Sequence, residues 1–168
     1  MREAEKKIRE RPALAQECAR LRAAGKTVVF TNGCFDLMHA GHATYLEFAR
    51  RQGDVLVVGL NTDASVRRYK GEKRPIVDER NRARMMAALE CVDYVTWFDE
   101  DEPKELIAEL QPDVLVKAED WAHYVSGREI VEARGGKVVL APMVAGLSTT
   151  KLIEKIVQAY GGTCSAVR

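Results

Sequence analysis

The chain has 168 residues, with 26 Lys and Arg against 25 Asp and Glu, and 46% of it is hydrophobic. That length suits one domain with a core of its own, and the balanced charge excludes the broad positive field that attracts nucleic acid without sequence preference. Cys18, Cys34, Cys91 and Cys164 form no C-x-x-C pair, so they read as reduced thiols of a cytoplasmic protein. No apolar run nears the roughly 20 residues of a membrane span, so no membrane partner is expected.

In chain order, residues 5–24 have helical periodicity, with Pro12 in the first third and Gly25 as the stop. They predict one leading helix or two short ones, an N-terminal extension over residues 1–25. Residues 26–31 then read as a buried strand, 44–51 as a helix and 54–60 ("DVLVVGL") as a second strand. Strand, helix and strand in succession make a right-handed βαβ unit, so the sheet is at least partly parallel. The alternation continues through a helix at 80–90, a strand at 92–97, a helix at 103–110 and a strand at 113–117. A helix at 127–134, a strand at 137–141 and a last helix at 148–159 complete it. The expected fold is α/β: a Rossmann-like, doubly wound, mainly parallel five-stranded sheet over residues 26–160, with the extra N-terminal helix. Residues 70–78 ("KGEKRPIVD") read as a basic loop. Residues 161–168 read as a disordered tail, Gly161 and Gly162 ending the last helix.

Ligands of such sheets bind beyond the carboxyl ends of the strands, near the point where the winding reverses. The stretch "TNGCFDLMHAGH" leaves the first strand there and carries two of the chain's three histidines, His39 and His42. Gly33 would turn the backbone sharply beside a ligand, and Gly41 would let the next helix begin tight against it. The start of that helix presents free N–H groups to a phosphate, and imidazoles three residues apart can both donate to one phosphate group. A zinc site is the other use of paired histidines, but no further ligands are evident and no metal centre is expected.

The segment "GCFDLMHAGH" matches G-x-F-D-x-x-H-x-G-H, and the chain thereby resembles the cytidylyltransferase-like nucleotidyltransferases. The likeness extends through "LNTDASVRRYKGEKRPI", "ALECVDYV", "PDVLVKAEDW" and "GLSTTKLIEKI", covering nearly everything from residue 26 to residue 156. Within that family it is most similar to the heptose 1-phosphate adenylyltransferases of ADP-heptose synthesis, found free or fused to a kinase.

The resemblance implies in-line attack by a sugar phosphate on the α-phosphorus of ATP, releasing pyrophosphate, with catalysis by positioning and charge stabilisation. It gives His39, His42 and Lys70 catalytic roles, Lys70 by neutralising the phosphates as its loop closes. It assigns nucleotide binding to Cys34, Phe35, His39, Gly41, His42, Asp120, Gly146, Ser148, Thr149 and Thr150. Asp36, Lys73, Arg74 and Arg82 are expected on the substrate, Arg82 as the family's helix arginine. Mg²⁺ is expected to arrive with ATP, and a homodimer is expected because many relatives form one. Where the heptose branch has "KGGD", this chain has Lys117, Ala118, Glu119 and Asp120. The acidic Glu119 is similar to the glycerol-phosphate cytidylyltransferases, so CTP with a polyol phosphate is an alternative. A nucleotide sensor without turnover is an alternative of another class. A class I aminoacyl-tRNA synthetase is set aside, because the chain has no room for a tRNA-binding domain.

Overall fold

The computed structural model describes residues 3–161. The expected tail from Gly162 onward therefore lies outside the described residues.

Runs of β-branched and aliphatic residues form the strands β1 (Val28–Gly33), β2 (Val55–Asn61), β3 (Tyr94–Phe98), β4 (Val114–Ala118) and β5 (Lys137–Ala141). They make one parallel sheet in the order β3-β2-β1-β4-β5. The helices are α1 (Arg11–Ala23), α2 (Ala40–Arg50), α3 (Asp63–Lys70), α4 (Glu79–Ala88), α5 (Lys104–Leu110), α6 (Arg128–Glu132) and α7 (Thr149–Tyr160). Because both sheet faces are covered, the central strands are apolar at consecutive positions rather than alternating. Val29, Leu56, Val58 and Val95 pack with Leu46 and Met86 on one face. Val28, Phe30, Val57 and Leu115 pack with Leu14, Leu106, Ile107 and Leu110 on the other.

The winding steps outward from β1 to β2 to β3, then crosses back to β4 on the far side of β1. The carboxyl ends of β1 and β4 are thus neighbours whose following segments diverge, which opens a crevice between them.

Two elements differ in detail from expectation, the first of them within the alternative of two short helices. The leading segment is a 3-10 turn at Ala4–Lys7, an extended stretch and then α1, with Pro12 in the first turn of α1, where its missing N–H costs nothing. Lys7 is buried and donates from Nζ to Leu89 O (2.9 Å) and Val92 O (2.7 Å), while Ile8 bridges in parallel to Val95. This strap covers the free edge of β3, and α1 packs its buried Leu14 and Cys18 into the core beside α5. The second difference is α3, which the sequence did not announce. It is short and mostly charged, buries only Ser65 and Val66, and starts on a Thr62 cap that accepts from Ser65 N.

Candidate active site

A cavity of about 460 Å³ opens at the carboxyl ends of β1, β2 and β4, within the range of nucleotide-sized sites. Its floor includes Asn32 near the end of β1, Cys34 just after it, Asn61 at the end of β2 and Lys117 in β4; one wall carries His39 and His42, and another the start of α7.

The chain turns out of β1 at Phe35, which has φ +43° and is only 6% exposed. A buried aromatic in the left-handed region is strained and holds only where packing fixes it. Gly33 has no positive φ; a Cβ there would meet the Phe35 ring at 3.1 Å. Gly33 therefore makes room for the turn rather than making it. Gly41 has a similar task, since a Cβ there would lie 3.0 Å from His39 Nδ1 and 3.5 Å from Leu147 Cβ. The glycine admits an imidazole and the approach of the α7 loop.

His39 is the residue before α2 and His42 lies in its first turn. Their rings stack with centroids 3.9 Å apart and 18° between planes, and Phe35 packs edge-on to His42 at 5.3 Å. The Nδ1 atoms of both rings are buried without a hydrogen-bond partner among the described residues. Burial, then His39 and Lys70, push the His42 pKa down to about 4, and burial also lowers that of His39. Stacked imidazoles beside a lysine disfavour a second positive charge, so the pair is neutral near pH 7 until an anion arrives.

At the opposite wall, Ser148 Oγ caps α7 by accepting from Lys151 N at 3.1 Å. Thr149 Oγ1 donates to Leu37 O at 3.2 Å, tying the start of α7 to the loop that carries the histidines, and Thr150 also lines the cavity. Free N–H groups at this helix end favour an anion.

Asp36 lines the cavity, but its carboxylate is occupied. Arg74 Nε donates to it at 2.7 Å, and Ile76 N and Val77 N donate at 2.9 Å each. Burial raises its pKa, yet these donors outweigh burial and hold the carboxyl below its ordinary value. Asp36 therefore anchors the basic segment, and through it Arg74 is fixed in the cavity wall. Lys70, placed by sequence in that loop, is the last residue of α3 and faces the cavity. Asp120, in the turn Glu119–Trp121, lines it too.

Three expected residues stand elsewhere. Lys73 is exposed and outside the cavity wall, and Gly146 (φ +82°) shapes the approach to Leu147 without lining it. Arg82, expected on the substrate, does not line the cavity. It is 1% exposed beneath the floor and donates to Val77 O (3.0 Å), Cys34 O (2.6 Å), Asn61 O (2.8 Å) and Asp63 Oδ1 (2.7 Å). Its guanidinium fork braces the segments that carry the site, with four of its five N–H donors engaged by internal acceptors.

Glu119 does not enter the cavity wall. Its Oε1 accepts from Met143 N at 2.9 Å, so the side chain braces the loop between β5 and α7. The Cys34 thiol, raised in pKa by burial, sits 3.8 Å from Asn61 Oδ1 and has no activating base.

Sequence reasoning missed Lys117 and Asn32, whose side chains meet at 3.1 Å on the floor. The signal was a lysine ending an otherwise apolar strand, inside the segment "PDVLVKAEDW". It also missed a rim where Tyr124 and Ser126 donate to Glu102 at 2.9 Å. Among the described residues no group of three or more His, Cys, Asp or Glu side chains is arranged to hold a metal ion, and no helix is long and apolar enough to cross a membrane.

The family model described as cytidylyltransferase-like matches residues 30–155. Over 160 residues the chain is 56% identical to the bifunctional protein HldE of Citrifermentans bemidjiense, covering 95% of this chain and 33% of that protein. It is 55% identical to HldE of Geobacter sulfurreducens over the same shares. The chain thus spans about a third of the length of these curated relatives. Among solved structures, the lipopolysaccharide core biosynthesis protein from Thermoplasma volcanium superposes with a TM-score of 0.59 at 28% identity, covering 71% of this chain and 98% of that one.

Proposed function

The chain belongs to the cytidylyltransferase-like family, and from that premise we propose that it transfers AMP from ATP to D-glycero-D-manno-heptose 1-phosphate, giving ADP-heptose and pyrophosphate. The observation that carries the reading is the stacked His39–His42 pair, with unpartnered Nδ1 atoms, in one cavity with Ser148, Thr149 and Thr150. Such a pair of neutral donors, opposite a helix N-terminus, suits phosphate oxygens on which charge accumulates in a transition state.

An oxygen of the acceptor phosphate attacks the α-phosphorus in line. The new P–O bond forms as the bond to pyrophosphate breaks. The acceptor is ionised at neutral pH, so no general base is required. His39 and His42 hold the oxygens of the α- and β-phosphates, and Lys70 closes over them from the end of α3. Mg²⁺ comes with the triphosphate, where it supplies charge neutralisation. The donor set fits an ion held mainly by phosphate oxygens and water, because, of the four lining carboxylates, Asp36, Asp101 and Glu102 are already committed to Arg74, Arg68, Tyr124 and Ser126, which leaves Asp120.

ATP is favoured over CTP because Glu119, the departure that pointed to cytidylyltransferases, turns to Met143 N rather than into the cavity. The heptose is supported by the resemblance over residues 26–156 and by the likeness to a lipopolysaccharide core biosynthesis protein. The same reading includes a cytoplasmic homodimer. The exposed Ile156, Val157 and Tyr160 of α7 offer a surface for it, which sedimentation equilibrium tests.

The test of function is pyrophosphate release with Mg²⁺, crossing ATP and CTP against heptose 1-phosphate anomers and glycerol 3-phosphate. Turnover with ATP and a heptose 1-phosphate alone is expected. Turnover with CTP would overturn the base assignment, and silence in every pairing would leave a nucleotide sensor.

A further inference from the structure

We propose that Lys117, held by Asn32 and the face of Trp121 at the carboxyl ends of β1 and β4, is the cation that receives the acceptor's phosphate, while His39, His42 and the start of α7 hold those of the nucleotide. The proposal rests on the nucleotidyltransferase reading above and names a residue for the other substrate.

Lys117 Nζ donates to Asn32 Oδ1 at 3.1 Å and lies 5.3 Å from the centroid of the Trp121 ring. It makes no ion pair among the described residues, and it lines the cavity. An ammonium has three donors, of which a neutral amide takes one and a ring face partly satisfies another. Neither partner carries the charge that would offset loss of hydration. The charged and titratable groups that act on it are Asp120, after β4, and the Cys34 thiol, after β1. Burial outweighs both and brings the lysine down to about 8. A cation kept in the floor of a cavity at this cost in stability is suited to an anion that enters from solvent.

The phosphate chemistry has two sources in the proposed reaction, the acceptor and the α-phosphate of ATP. The acceptor is favoured by the division of the site. Both histidines come from the β1–α2 corner, which Thr149 ties to α7, so the nucleotide's phosphates have donors on those two walls. Lys117 belongs to the floor between β1 and β4. In-line displacement needs the nucleophile opposite the leaving pyrophosphate, and therefore a cation on a different surface from the one that holds the departing group.

The experiment compares Lys117→Met and Lys117→Arg with the active wild-type chain in pyrophosphate release, using ATP and the acceptor that the wild type turns over. Thermal melting of the ligand-free proteins runs alongside. For Lys117→Met the KM for the acceptor rises at least about tenfold and that for ATP stays within about threefold, the scale of one lost charge-assisted contact. Its melting temperature is equal to or above that of the wild type, because a half-buried charge without an ion-pair partner among the described residues has been removed. Lys117→Arg recovers part of the acceptor affinity. An unchanged acceptor KM overturns the proposal. So does an ATP KM that rises alone or equally, which would put the lysine on the α-phosphate. A lower melting temperature with both KM values unchanged makes the lysine structural and also overturns it. A wild-type chain inactive in every pairing refutes the nucleotidyltransferase reading instead, so the two failures are distinguishable.

Discussion

Replacing Arg82 by Met separates a brace from a ligand. The side chain is fully buried, and its fork joins Cys34 O after β1, Asn61 O at the end of β2, Asp63 at the start of α3 and Val77 O before α4. Methionine keeps most of the length and none of the donors. Three carbonyls and a carboxylate then lose a charged partner, each bond being worth about 1.5–3 kcal/mol when made singly. These losses are not additive, because Asp63 is 22% exposed and can rehydrate. Breaking a buried pair by removing one member costs about 3–5 kcal/mol, which sets the expected loss of unfolding free energy. Equilibrium urea denaturation measures it, with the slope against denaturant unchanged, and Arg82→Lys should fall between the two proteins because it keeps the charge without the fork. A loss below about 1 kcal/mol together with a raised KM for the acceptor would refute the brace and return Arg82 to the substrate.

Removing the imidazole of His42 with alanine should lower kcat at least about a hundredfold while ATP affinity stays within about tenfold, the scale of one lost charge-stabilising donor; unchanged turnover would sink its role. The folded-state pKa of His42, about 4, lies below its ordinary 6.5, so the unfolded chain binds the extra proton first on acidification. That contribution to stability is complete above pH 6.5 and is lost as the pH falls toward 4. It amounts to about 2 kcal/mol once partial solvent exposure is allowed for, and it should be missing from denaturation curves of His42→Ala. Gly41→Ala, whose Cβ would press on His39 at 3.0 Å, should reduce kcat about tenfold with a stability change under about 1 kcal/mol, since alanine favours the helix; an unaltered kcat would show that the ring need not stay where it is. Asp36→Asn removes the charge that holds Arg74 and the amides of Ile76 and Val77. It should cost about 1–3 kcal/mol and speed amide exchange at Ile76 and Val77, and exchange equal to the wild type would refute the anchor.

What the sequence made legible follows from local physics. The strand and helix alternation was readable because both faces of a parallel sheet are covered, which leaves long apolar runs such as Val55–Asn61. The corner at His39 and His42 was readable because backbone turn, helix start and phosphate donors lie within twelve consecutive residues. The helix α3 escaped because eight mostly charged residues with two buried positions carry little periodicity. The leading segment was read as one helix or two short ones without its extended stretch, since nothing local announces that Lys7 finds carbonyl acceptors more than eighty residues away.

The misplacement of Arg82 and the omission of Lys117 have one cause. On a helix whose neighbours are Arg80 and Arg84, an arginine reads as a surface or ligand charge, and only the convergence of Cys34, Asn61, Asp63 and Val77 shows that its partners are internal. At the end of an apolar strand, a lysine reads as a solvated terminus, and only the crossing of the chain from β3 to β4 sets it against Asn32 of β1. Arg82 is buried and Lys117 half-buried, and the structure treats the two cations in opposite ways. Arg82 has an acceptor for each branch of its fork, whereas Lys117 has one neutral amide and a ring. Removing the first should therefore cost stability and removing the second should not, while substrate affinity should respond in the reverse order. A buried charge is assigned to structure or to ligand by whether its donors are already taken, and that property lies in the tertiary fold rather than in any window of sequence.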